Sequence, residues 1–159
     1  MKPDDFERLY EVHAKPLLGF LVYRTGDVPL AEDLLADTFE RVYRARRTFN
    51  HKRASEKTWI YSIALNCLRD QHRRTQAEVR ALERTRPSAE VVPMAERVED
   101  RDVLSRALAV LSEEEREAVA LRYGADLTLP EIAKLKEEKL TTVEGRVYRS
   151  LRKLREELT

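Results

Sequence analysis

Val143, Val147, Leu151, Leu154 and Leu158 stand four, four, three and four residues apart, a spacing that only an α-helix gathers into one face. The same spacing recurs upstream. Phe6, Leu9, Tyr10, His13, Leu17, Phe20 and Leu21 form one stripe, and Ala31, Leu34, Leu35, Thr38, Phe39 and Val42 a second. Trp59, Ile60, Ile63, Ala64, Cys67 and Leu68 form a third, and Val103, Leu104, Ala107, Leu108 and Leu111 a fourth. No stretch alternates like a half-buried strand. Only four Gly and six Pro interrupt the pattern, and charged residues make up 37 % against 42 % hydrophobic, a mixture that favours helix. The fold expected is all-α.

Local signals place the breaks. Asp4 and Glu7 form a capping-box-like pair at the first helix, and Pro16 is expected to bend it. Thr25-Gly26-Asp27 reads as a stop and a new cap, and the second helix is expected from about Val28 to Arg46. Thr48 to Lys57 reads as a polar connection before the third helix. From about residue 75 to 98 the periodicity fades, and Pro87 and Pro93 mark a linker. Beyond it, Ser112 with Glu115, Thr128 with Glu131, and Thr141 with Glu144 have capping-box spacing, while Gly124 is a stop. The expected organisation is two small helical domains, an N-terminal bundle over 1–75 and a C-terminal helix-turn-helix domain over 99–159, joined by a linker at 76–98. Domains of this size bury only about 60 % of their unfolded-state surface, so each core should be marginal alone.

Enzyme chemistry finds little to work with. The histidines are His13, His51 and His72, without metal-ligand spacing, and no Gly-rich phosphate loop is present. The one cysteine, Cys67, lies on an apolar stripe and reads as a buried thiol. The expectation is no catalysis, no metal and no cofactor. MKPDDFERLYEVH lacks a signal-peptide core, and no apolar run approaches the ~20 residues that span a membrane, so a soluble, cytoplasmic protein is expected.

The formal charge of +1 conceals local asymmetry. Thr128 to about Lys136, a turn, and a longer last helix fit a helix-turn-helix, with Arg146, Arg149, Arg152, Lys153 and Arg155 off the apolar stripe. A DNA-reading helix and an ordinary solvated helix both fit that pattern. Trp59 and Tyr61 precede Asn66, Arg69, Arg73 and Arg74, following a Phe49-Asn50-His51-Lys52-Arg53 loop. Rings beside cations suit single-stranded DNA, although aromatics at helical spacing also build cores. Asp33 and Asp37 repel one another at i and i+4, and Arg41 can offset this by pairing with Asp37. That face is either a docking surface for a basic partner or a plain solvated one.

Four blocks in order, DFERLYEVHAKPLLGFLVYRTGD, LAEDLLADTFERVYRA, TWIYSIALNCLRDQHRR and LSEEEREAVALRYGADLTLPEIA…TVEGRVYRSLRKLREEL, resemble those of extracytoplasmic-function sigma factors of bacterial RNA polymerase. The resemblance implies a subunit that directs core polymerase to promoters and melts them. By it, the second block docks on the clamp coiled coil of the largest polymerase subunit, through Asp33, Asp37 and Arg41. The −10 reader, which captures a base flipped from single-stranded DNA, corresponds to Phe49, Asn50, His51, Lys52, Trp59 and Asn66, with Arg73 and Arg74 near phosphates. The last helix corresponds to the reader of double-stranded −35 DNA, through Thr142, Arg146, Arg149, Arg152 and Lys153. An anti-sigma factor is a further partner the resemblance implies. Three departures stand out. Glu56 replaces an aromatic before the tryptophan, Glu137-Glu138-Lys139 replaces Gly-apolar-Ser in the turn, and Glu144-Gly145 replaces a basic residue and Ser. The odd turn leaves room for another reading, a sigma-like adaptor or anti-activator that binds polymerase and reads no promoter.

Overall fold

The computed structural model describes residues 3–85 and 102–158. Among these residues seven α-helices follow one another: α1 Pro3–Thr25, α2 Val28–Ala45, α3 Glu56–Thr85, α4 Asp102–Ala109, α5 Glu113–Val119, α6 Leu129–Lys136 and α7 Leu140–Leu158. Among the described residues there is no strand, and no helix is long and apolar enough to cross a membrane.

The breaks are made by the residues that announce them. Gly26, at φ 66°, turns the chain out of α1, and Asp27 then accepts a hydrogen bond from the Leu30 N–H at 3.1 Å. Ser112 with Glu115 and Thr128 with Glu131 both close as reciprocal capping boxes. After α5 the chain widens into one π-turn, Ala120–Gly124, where the Ala125 N–H reaches back five residues to the Ala120 carbonyl.

α1 remains helical through Pro16. Two expectations need correction. α3 continues ten residues beyond Thr75, because Gln76, Ala77, Glu78, Arg80, Ala81, Leu82 and Glu83 are good helix formers even where exposed to solvent. The second concerns Thr141 and Glu144. The Thr142 and Val143 N–H groups both bond to the Lys139 carbonyl, so α7 starts at Leu140 and Thr141 already lies inside its first turn. No capping box can form there. The Pro87–Pro93 part of the expected linker lies outside the described residues.

α1, α2 and α3 pack as one bundle around Leu9, Leu17, Leu21, Leu34, Val42, Ile60 and Ala64. Tyr61 is also buried there, edge-on to Phe20, so it belongs to this core and not to a nucleic-acid surface. Cys67 is buried and unpaired, and burial pushes its thiol up, as expected of a structural thiol. The C-terminal helices close around Leu121, Leu127, Ile132, Val143 and Val147. The two halves share one hydrophobic core, with α1 against the π-turn and α3 against α6.

Candidate polymerase and promoter interface

On α2, Asp33 is exposed on the side away from the buried seam of Ala31, Leu34, Thr38 and Val42, and Asp37, partly buried, lies at the edge facing α3. The Asp37–Arg41 pair that the spacing allows does not form. Arg41 sits on the edge of α2 beside α3, and its Nη2 donates to Asp70 Oδ2 at 3.0 Å. Asp33 and Asp37 therefore have no ion-pair partner among the described residues, although the Asp37 charge still acts on Arg41. Arg73 and Arg74 meet Asp37, Arg41 and Asp70 in an open groove between α2 and α3.

The loop between α2 and α3 holds a ring cluster. Phe49 lies 4.7 Å from Trp59, centroid to centroid and tilted, and 4.5 Å edge-on from His51. Asn50 shapes the loop itself, its Oδ1 accepting from the Lys52 N–H at 3.0 Å. His51, Lys52 and Asn66 are exposed, and Trp59 is half-buried. Ser55, which the sequence reading leaves inside a plain polar connection, caps α3 by accepting from the Thr58 N–H. Glu56 takes the place of the expected aromatic and instead grips Arg8 of α1 at two points, 2.6 and 3.2 Å. Among the described residues, Phe49 is the ring that lies against Trp59.

On α7, Arg146 and Lys153 sit differently from Arg149 and Arg152. Arg146, expected beside Arg149 in the groove, is only 12 % exposed and forks onto Glu138 at 2.9 and 2.7 Å. Lys153 donates to Glu115 at 2.8 Å, which holds that carboxyl below its ordinary value. Both lie at the margins of the buried stripe, where carboxylates of the turn and of α5 are in reach. Thr142, Arg149 and Arg152 lie on the outer side, exposed, and neither arginine makes an ion pair among the described residues. Arg149 folds back over Gly145, where a β-carbon would meet its Nη1 at 3.1 Å. Tyr148, 69 % exposed, stands on the same outer side. Its position off the apolar stripe was the available signal, and the sequence reading passes over it.

One chain thus carries an acidic stripe on α2, a ring cluster beside cations, and a helix-turn-helix with outward-facing arginines. Residues 9–78 match Sigma-70 region 2, and residues 101–154 match Sigma-70, region 4. The ECF RNA polymerase sigma factor SigX of Bacillus subtilis is 32 % identical, with 98 % of this chain and 88 % of that protein covered. The RNA polymerase sigma factor CarQ of Myxococcus xanthus is 33 % identical over 96 % of this chain and 88 % of that one. In fold, the chain is similar to the sigma factor RpoE of Bartonella quintana, solved in complex with the anti-sigma factor NepR. The TM-score is 0.79 at 24 % identity, over 97 % of this chain and 96 % of that one.

The chain belongs to the extracytoplasmic-function sigma factors. It directs core RNA polymerase to promoters by recognising −10 and −35 elements, and it opens the duplex between binding and initiation.

Proposed function

We propose the following division of labour among the chain's residues. Asp33 and Asp37 dock on the basic clamp coiled coil of the largest polymerase subunit, and Arg41 orders α3 behind them through Asp70. Phe49 and Trp59 supply the platform for a base flipped from the −10 strand, with Asn66 at its edge. His51, Lys52, Arg73 and Arg74 offer cations to the strand, and Asn50 holds the loop that carries them. Thr142, Arg149 and Arg152 face the −35 duplex, while Lys153 secures α7 to α5.

The observation that carries this reading is the contrast on α7. Arg146 and Lys153, at the margins of the buried stripe, are paired, whereas Arg149 and Arg152 on the outer side make no ion pair among the described residues. A solvated helix has no reason to sort them so. An anti-sigma factor is a further partner of this chain, on the strength of the RpoE–NepR complex that shares its fold. The chain acts in the cytoplasm, where polymerase is, and carries out no bond chemistry of its own.

Open-complex formation on duplex and pre-melted promoters tests the −10 assignment. Phe49→Ala or Asn66→Ala should lower open complexes more than closed ones, because a stacked base contributes about 1–3 kcal/mol only once it is out of the duplex. A template already melted at −10 should not restore a mutant that has lost the pocket. Wild-type activity of both mutants on duplex DNA would show that the base is held elsewhere.

A further inference from the structure

The turn before α7 is built from residues that should make a poor turn. Glu137 occupies the left-handed region, φ 54° and ψ 42°, where glycine is at ease. Lys139 stands at the start of α7, and an ammonium has no acceptor with which to cap a helix. Between them lies Glu138. Its N–H closes on the Ala133 carbonyl at 2.9 Å, and its carboxylate turns inward to meet Arg146 at two points. Glu114, from the first turn of α5, stands 3.6 Å from the same guanidinium. Three segments thus converge on one arginine: the turn, the second turn of α7 and the start of α5. A planar guanidinium holding a carboxylate at two points fixes orientation as well as distance.

We propose that Glu138 and Arg146 are a positioning pair that sets the register of α7 on its domain, and that Arg146 itself touches no DNA. The pair takes over the task that a side-chain cap and an apolar turn residue would perform. What it positions is the outer face of Thr142, Arg149 and Arg152. The inference rests on the reading of that face as the −35 reader.

Promoter binding by the full chain with core polymerase, measured against salt, tests this. The variants are Arg146→Gln, Arg146→Lys, Glu138→Gln and the Glu138→Gln/Arg146→Gln double, on templates with an intact or a scrambled −35 element. Each single variant should lose about tenfold, the ordinary size of a coupling within one ion pair, and the double should lose no more than either single. The salt slope should stay at the wild-type value, since no phosphate contact disappears, and the scrambled template should show no loss. Arg146→Lys should behave like Arg146→Gln, because lysine cannot fork. The proposal is overturned if Glu138→Gln binds like wild type while Arg146→Gln lowers the slope by about one phosphate and Arg146→Lys restores it. Equal losses on both templates would also overturn it, leaving the pair a general stabiliser. Arg149→Ala is the control: no effect on the intact element would remove the −35 reading itself, whatever the pair does.

Discussion

Arg146 and Arg149 are three residues apart and look interchangeable in the sequence, yet one is enclosed by carboxylates and the other faces outward. Helical spacing alone separates the outer face of α7 from its buried stripe. It does not reveal that α5 and the turn bring Glu114, Glu115 and Glu138 to the margins of that stripe, because those carboxylates arrive through tertiary packing. The same limit applies to Arg41. Its neighbour at i−4 is visible in the sequence, whereas Asp70, from another helix, is not. The outcome bears on polymerase binding. Since Asp33 and Asp37 support no internal pair, Asp33→Arg or Asp37→Arg should leave helicity and melting temperature near wild type. Affinity for core polymerase should fall by more than truncation to Ala would cause, because reversal adds repulsion at the docked surface. Titration with core enzyme checks this, and unchanged binding of both reversed mutants would exclude the stripe from docking.

The helices were legible where their ends carry caps. Asp27, Ser112 and Thr128 each do what their spacing announces, since a cap is a local hydrogen bond between residues two or three apart. Errors arose where local signals compete. Thr141 and Glu144 have the spacing of a box, but the chain is already helical at Leu140, and position overrides composition. Glu137 shows the reverse, a residue held in a conformation it does not favour. Left-handed backbone costs a non-glycine residue about 1–2 kcal/mol, and glycine's greater freedom when unfolded returns part of that. Glu137→Gly should therefore stabilise the chain by about 0.5–1 kcal/mol in thermal unfolding, and a lower melting temperature would show that Glu137 is held by something other than the turn.

The elements of the C-terminal half also share a dependence on acid. Glu115 beside the Lys153 ammonium, Glu131 under the Thr128 N–H and Glu138 in the Arg146 fork are all held below the ordinary carboxyl value of 4.5. A carboxyl whose folded value lies below its unfolded one favours folding when ionised. That contribution is complete above about 4.5 and is lost as the pH falls through the folded values. Urea titrations should show stability falling steeply below about pH 4.5, and Glu115→Gln should flatten part of that fall. An unaltered profile would mean that Lys153 contributes nothing through Glu115.

At the scale of the molecule, the two halves are packed on one another in a way the sequence did not announce. Arg24 at the end of α1 lies between Glu113 and Glu117, 12 % exposed, and Glu117 also pairs with Lys136. Lys57 donates to the Asp126 carbonyl, and Thr58 to Glu131, so the first turn of α3 is covered by the start of α6. These contacts join residues far apart in sequence, and no periodicity foretells them. They also set a requirement. Elements about 25 base pairs apart are ~85 Å apart at 3.4 Å per step, whereas 159 residues packed together have a radius of gyration of only about 15 Å. The halves must part for both elements to be read at once.

Run-off transcription on a library of promoter-sized genomic fragments, with purified core polymerase and the full chain, tests the central claim most directly. The account predicts transcripts from discrete starts that share a −35 and a −10 element, dependent on the chain and abolished by Asp37→Arg. A chain that binds core polymerase but yields no start-specific transcript, or yields the same starts as core enzyme alone, would contradict it.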